Sequence, residues 1–264
     1  MPPLPWLQLI GVSKVFLSQA GAITAISDAN LAVRKGEFLC VVGSSGCGKS
    51  TLLNLIAGLV SPDRGRILLD GEPVKGPGPD RMVIFQEPAL FPWLSVLDNV
   101  TFGPKMRGVS NAERTGRARE LLGMVHLTAF ENAWVHELSG GMRQRVALAR
   151  ALALEPEILL MDEPFAALDA QTRDMLHEEL ELLWQKTGKT ILFITHNVRE
   201  AVRLGERVLL MSAAGGAFIK EYPVDLPRNR HLEDVELVKI ASVIRDDLKE
   251  EVRRVSRLKG YANG

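Results

Sequence analysis

Residues 43–51, Gly43-Ser44-Ser45-Gly46-Cys47-Gly48-Lys49-Ser50-Thr51, place three glycines ahead of a lysine and two hydroxyls. The spacing is G-x-x-x-x-G-K-[ST], a pattern suited to holding phosphate. Glycines let a backbone fold closely around phosphate oxygens. A helix starting just after them presents unpaired N–H groups and the positive end of its dipole. Lys49 adds a mobile charge for the outer phosphates of a nucleotide, and Ser50 offers a hydroxyl to Mg²⁺. All nine residues are therefore candidate nucleotide contacts.

Two further segments fit that chemistry. Ile158-Leu-Leu-Met-Asp162-Glu163 is an apolar run from which two carboxylates emerge. Beside a phosphate loop, Asp162 is a partner for Mg²⁺, through water, and Glu163 can polarise an attacking water. Leu138-Ser139-Gly140-Gly141-Met142-Arg143-Gln144 precedes an apolar helical run. Ser139 is a good N-cap, and Gly140 and Gly141 leave that helix start open to an anion.

These groups need elements to hold them. Phe38-Leu-Cys-Val-Val42 reads as a buried strand entering the loop. Leu52, Leu53, Ile56 and Leu59 then recur at helical spacing, with Gly58 and Pro62 near the end. Residues 7–33 read as short strands with polar breaks. Further strands are expected at Arg66–Leu69, Met82–Phe85, Ile158–Met161, Thr190–Ile194 and Arg207–Met211. Leu176, Leu180, Leu183 and Trp184 form a helical stripe between two of them. Strands alternating with helices imply a parallel sheet covered on both faces. The helical stretch at about 95–154 interrupts that alternation and implies a separate lobe. From Leu232, an amphipathic tail carries Leu237, Ile240, Ile244, Leu248, Val252 and Val255 on one face.

Composition narrows the function. The chain has 264 residues, with 32 Lys plus Arg against 32 Asp plus Glu. That balance gives no basic footprint for a nucleic-acid partner, and 6% aromatics do not suggest base-stacking platforms. Cys40 and Cys47 form neither a disulfide framework nor a zinc spacing. Cys40 reads as a small core residue. Cys47, inside the loop beside Lys49, is expected to favour its thiolate and to be alkylated in a manner that ATP blocks. No run is long and apolar enough to cross a membrane, and the proline-broken start is a poor signal peptide. The expectation is a cytosolic protein that reaches a membrane only through a partner.

On these motifs the chain resembles the ATP-binding cassette family of transporter ATPases over nearly all its length. The resemblance implies an α/β fold of phosphate-loop NTPase type: a parallel-sheet core, an antiparallel β subdomain and an inserted α-helical subdomain. It implies a nucleotide-binding domain over 1–231 and a helical tail over 232–264. It also implies a homodimer in which each ATP, with Mg²⁺, lies between the phosphate loop of one copy and Ser139, Gly140, Gly141 and Gln144 of the other. Carried over by motif, Gln86 senses Mg²⁺ and the γ-phosphate and joins Ser50 and Asp162 as a metal contact. Asp169, in Ala167-Leu168-Asp169, reaches across the dimer. His196 is the switch histidine, catalytic with Glu163, Lys49 and Gln86. Phe16 is the adenine-stacking aromatic.

A finer likeness rests on Phe85-Gln-Glu-Pro-Ala-Leu-Phe-Pro-Trp93, Val96-Leu-Asp-Asn-Val100, Asp162-Glu-Pro-Phe165 and Val224-Asp-Leu-Pro-Arg228. It is similar to the cassettes of nitrate, sulfonate and taurine importers. That implies a place on the inner face of the cell membrane, with integral permease subunits as partners and an external solute-binding protein acting indirectly. Phe91 and Trp93 would receive the permease. Asn197 and Asn229 depart from the pattern, which often has Asp and a second Pro there. A cassette ATPase without a permease, or an unrelated phosphate-loop kinase, are the competing readings. The solute itself is not encoded.

Overall fold

A computed structural model describes residues 5–19 and 21–258 of the chain. The chain divides into two units, Gly78–Lys189 and the sequence on either side of it. The first unit begins with β1 (Leu7–Ser18) and β2 (Gly21–Val33), which pair antiparallel. They are long strands where short ones are expected. The polar positions do not end the strand: register shifts absorb them between Leu9 and Val12 and around Lys14. Next come β3 (Phe38–Val42), α1 (Lys49–Ala57), β4 (Arg64–Leu69) and β5 (Glu72–Pro73). One antiparallel sheet runs in the order β2-β1-β4-β5.

The second unit contains β6 (Arg81–Ile84), α2 (Val96–Met106), α3 (Asn111–Met124), α4 (Gly140–Leu152), β7 (Ile158–Asp162) and α5 (Ala170–Thr187). β6 and β7 pair in parallel. β6 runs one residue earlier than the sequence suggests, so Phe85 already lies outside the strand. Ser95, Ser110 and Ser139 cap α2, α3 and α4 by accepting from the N–H groups of Asp98, Glu113 and Met142. The helical stretch at about 95–154 lies inside this unit. Leu176, Leu180 and Leu183 are the buried stripe of α5, with Trp184 half-buried.

The chain then returns to the first unit as β8 (Thr190–Thr195), α6 (Val198–Leu204), β9 (Arg207–Met211), β10 (Phe218–Pro223) and α7 (Val235–Leu258). β8 and β9 flank β3 in parallel, and β10 pairs antiparallel with β9. All five residues of β3 are buried, which is why it reads as a continuous apolar run rather than an alternation. Leu237, Ile244 and Val255 bury the inner face of α7. Val252, expected on that face, is exposed. A polar residue takes part instead: Glu251 is buried, accepts from Ser212 Oγ at 2.6 Å and is held by Arg254.

The link into α7 is tied down by Arg230. Its buried guanidinium donates to the carbonyls of Val202, Arg203, Gly205, Val224 and Leu226, joining the end of α6 to the chain after β10. Asn229 has φ +64°, a left-handed conformation that Asn tolerates and Pro cannot adopt. That is the physical reason for its departure from the expected proline.

Candidate nucleotide site

The loop between β3 and α1 is built around two glycines and one lysine. Gly48, the N-cap of α1, has φ +103°, and a Cβ there would lie 2.3 Å from the Ala25 carbonyl oxygen. A Cβ on Gly43 would meet Cys47 Sγ at 2.6 Å. Only glycine fits at 48, and a side chain at 43 would have to displace the Cys47 thiol. No side chain caps α1, so its first N–H groups face the loop uncovered. Lys49 is 6% exposed, and its Nζ donates to the carbonyls of Gly43 at 2.9 Å and Ser44 at 3.0 Å. Those carbonyls hold the ammonium across the loop before any phosphate arrives. Ser45, Gly46 and Ser50 are exposed; Ser44 and Thr51 are half-buried.

Cys47 corrects one expectation. Its Sγ lies 4.0 Å from Lys49 Nζ, as expected, but the residue is 3% exposed and packed against the Gly43 backbone, so the thiol is shielded from reagents. Ready alkylation of the folded chain is not what this geometry favours. Cys40 is a buried core residue, and burial pushes its thiol pKa well up, with Glu200 adding to the effect.

Strand register places a second group beside the loop. Val42 lies opposite Thr195 in the parallel β3–β8 pair. Gly43 and His196 therefore leave adjacent strand ends, one strand spacing apart. His196 is exposed. The turn that carries it is fixed from behind: Thr195 Oγ1 bonds to buried Glu200 and accepts from the Asn197 N–H. Asn197 Oδ1 in turn caps α6 by accepting from the N–H groups of Arg199 and Glu200. Asn serves this capping as well as Asp does, so the departure at 197 leaves the turn intact. Phe16, in β1 and cross-strand from Ile23, is 41% exposed, with Lys14 Nζ 5.6 Å from its ring centroid. It is a surface aromatic and not part of the core.

The second unit repeats the register logic. Ile84 lies opposite Met161 in the β6–β7 pair, so the segments carrying Gln86 and Asp162-Glu163 leave neighbouring strand ends. Gln86 is exposed; Asp162 and Glu163 are half-buried. Glu163 has φ +46°, uncommon for a residue with a side chain. Arg173 clamps the turn that follows, donating from Nε to Phe165 O at 3.2 Å and from Nη2 to Leu168 O at 2.6 Å. That turn ends at Asp169, which caps α5 by accepting from the Thr172 N–H at 2.9 Å. This bond holds the Asp169 carboxyl below its ordinary range.

At the start of α4, Ser139 and Gly140 are exposed. Gly141 packs so closely on Thr172 that a Cβ would lie 2.5 Å from its methyl carbon. Gln144 differs from them. It is 3% exposed and turned inward, with Nε2 donating to Phe85 O at 3.3 Å. It braces the segment that leads to Gln86.

The same unit forms a groove of about 310 Å³, lined by residues that include Ile84, Pro88, Phe91, Phe102 and Arg150. Phe91 packs on Phe102 at 4.5 Å and on Trp93 at 5.6 Å between ring centroids. Trp93 is 69% exposed. Asn99 bonds to both backbone groups of Phe91 and to the carbonyls of Leu94 and Ser95. Arg150 donates to the carbonyls of Pro88 and Ala89.

Phe16, the phosphate loop and His196 thus belong to the first unit. Gln86, Ser139–Gly141, Gln144, Asp162, Glu163 and Asp169 belong to the second. Sequence reasoning gave no supporting role to the residues that hold these segments, Thr195, Asn197, Glu200 and Arg173, nor to Asn99 and Arg150 beside the groove. Asn197 was legible as a cap before a helix; Thr195 and Glu200 bond to each other, Asn99, Arg150 and Arg173 bond to backbone, and neither arrangement leaves a pattern.

Residues 26–166 match the family model described as ABC transporter. The chain is 48% identical over 229 residues to the taurine import ATP-binding protein TauB of Burkholderia pseudomallei, covering 86% of this chain and 88% of the relative. It is 48% identical over 221 residues to the nitrate import ATP-binding protein NrtD of Synechocystis, covering 84% and 83%. Among solved structures it is similar to the dimeric ATP-binding cassette MJ0796 in a post-hydrolysis state bound to ADP and Pi. There the TM-score is 0.74 at 34% identity, covering 84% of this chain and all of the other.

Proposed function

Since the chain belongs to the ABC transporter family and is an ATPase, we propose that it powers a membrane importer for a small solute of the taurine, nitrate or sulfonate type. The observation that carries this reading is the uncapped start of α1, with the Lys49 ammonium held across it by two loop carbonyls. It is a cradle for the phosphates of ATP. Residues 43–51 contact the triphosphate, and Phe16 supplies a face for the base.

Ser50, Gln86 and Asp162 would hold Mg²⁺. They offer a hydroxyl, an amide oxygen and a carboxylate, the hard oxygen donors that this ion prefers. Bound there, the ion would neutralise phosphate charge. Glu163 orients the attacking water and accepts its proton. His196 and Lys49 donate to the phosphoryl group as charge builds on it.

Two copies close head to tail. Ser139, Gly140 and Gly141 of one offer an open helix start to the γ-phosphate held by the other, and Asp169 lies at the seam. Gln144 acts one step behind, through the Phe85 carbonyl. The γ-phosphate is the differential contact that favours the closed pair, and its loss lets the pair reopen. Residues 1–231 form the nucleotide-binding domain and 232–264 the tail.

The groove beside Phe91, with Trp93 standing out from it, receives an apolar element of an integral permease. It favours the coupled reading over a cassette ATPase that works alone. No helix among the described residues is long and apolar enough to cross a membrane. On this reading the permease holds the chain at the inner face, and an external binding protein delivers the solute. The test is hydrolysis against protein concentration, alone and in liposomes with the permease. Specific activity should rise with concentration and rise again with permease and loaded binding protein. Activity that is flat in both would overturn the proposal.

A further inference from the structure

A cavity of about 380 Å³ lies in the unit that carries the phosphate loop, where His196 and the start of α6 face α7. Val238 and Leu248 give it apolar wall, and Ser242 adds a hydroxyl. Arg199 from one side and Arg245 from the other complete the lining, and both are exposed. No Asp or Glu lines it. Arg245 Nη2 donates to Ser242 Oγ at 3.3 Å. Among the described residues neither guanidinium is paired with a carboxylate. Other arginines of the same unit are paired: Arg254 with Glu251, and Arg207 with Glu37 and Glu221. The next carboxylate along α7, Asp246, is 4.0 Å from Lys249.

We propose that this cavity binds a small organic anion, an oxyanion head with a compact apolar body, and that its binding slows ATP hydrolysis by restraining His196. Planar guanidiniums match the oxygens of a sulfonate, carboxylate or phosphate. The apolar wall removes hydrocarbon from water, at about 25 cal/mol per Å². The volume falls at the small end of ligand sites.

The route to His196 is short. α6 is fastened at its start by Asn197 and Glu200 and at its end by Arg230. An anion bridging Arg199 and Arg245 therefore pins α7 to the turn that carries the imidazole. The regulatory half of the proposal rests on the role given to His196 above; the binding half does not.

The test uses the full chain without nucleotide, titrated calorimetrically with 1-hexanesulfonate. Sulfate alone and 1-hexanol alone serve as the two halves of the probe. Saturable binding at about 1 mM or tighter is expected, with each half at least about tenfold weaker. An Arg199→Gln/Arg245→Gln double variant, both sites exposed, should fold normally and bind at least about tenfold more weakly, the order expected from losing charge-assisted hydrogen bonds. Saturating hexanesulfonate should lower wild-type ATP turnover at least about twofold and leave the double variant's turnover unchanged. Absent binding, equal binding by the double variant, or sulfate binding as tightly as hexanesulfonate would overturn the site. Binding with unchanged turnover would overturn the restraint on His196. A chain that binds the probe but hydrolyses no ATP would instead sink the functional reading.

Discussion

Gln144 Nε2 donates to the Phe85 carbonyl oxygen at 3.3 Å, so the helix that opens with Gly140 and Gly141 is bonded to the strand end that leads into Gln86. Gln144→Leu keeps the bulk and removes the donor. It should cost about 1 kcal/mol of stability. Turnover should fall about 3–10-fold while ATP affinity of the dilute chain stays level, because the change reaches hydrolysis through Gln86. Steady-state hydrolysis and a fluorescent-nucleotide titration measure the two. A loss confined to affinity would count against the coupling.

Lys49→Ala removes an ammonium already held by the Gly43 and Ser44 carbonyls. ATP affinity should drop about 10–100-fold, the size of one or two charge-assisted hydrogen bonds. Equilibrium binding without hydrolysis is the readout, and unchanged affinity would remove Lys49 from the site.

Glu163→Gln should slow turnover about 10²–10⁴-fold and leave ATP binding intact. Gln tolerates the φ +46° backbone no worse than Glu, so the comparison isolates the carboxylate. The variant should accumulate as an ATP-bound dimer in light scattering. Normal turnover would transfer the water-activating role elsewhere.

Docking of α7 should be acid-labile. The Asp247 carboxyl is held low by hydrogen bonds from Lys220 and Tyr222. Glu251 is held low chiefly by Arg254, with Ser212 adding and burial opposing. A depressed carboxyl contributes stability that is full above its unfolded pKa, about 4, and is lost as pH falls through the lower folded value. Asp247→Asn should therefore cost at most about 1 kcal/mol at neutral pH after solvent screening. That cost should shrink below about pH 4. Urea midpoints against pH would test it, and a constant difference would contradict the linkage.

Cys40 and Cys47 are both buried. Iodoacetamide should label neither in the folded chain, with or without ATP, and both after unfolding. Fast labelling of Cys47 that ATP abolishes would restore the reactive-thiol expectation.

The chemistry-bearing segments were legible because each is continuous in sequence. A loop that must wrap phosphate announces itself through Gly43, Gly48 and Lys49, and β3 through five apolar residues in a row. What the sequence hid is mostly long-range and polar. Glu251 lies outside the apolar positions that mark the tail's inner face, yet it is the residue that Ser212 bonds. Arg173 and Arg150 bond to carbonyls, which every residue possesses, so no pattern marks their partners. The burial of Cys47 was not legible because the loop's sequence does not say which way one side chain turns, although its place beside Lys49 was. The length of β1 and β2 is not legible in residues 7–33, because a bulge and a strand end draw on the same polar residues.

Arg230 fixes how the tail can be altered. Its fork reaches five carbonyl oxygens through three nitrogens, whereas a lysine would bring one nitrogen with three hydrogens. Replacing it conservatively would leave at least two of those oxygens unmet and let the hinge into the last helix swing. Such a chain would keep its catalytic edge in place and lose the leverage of the tail over it.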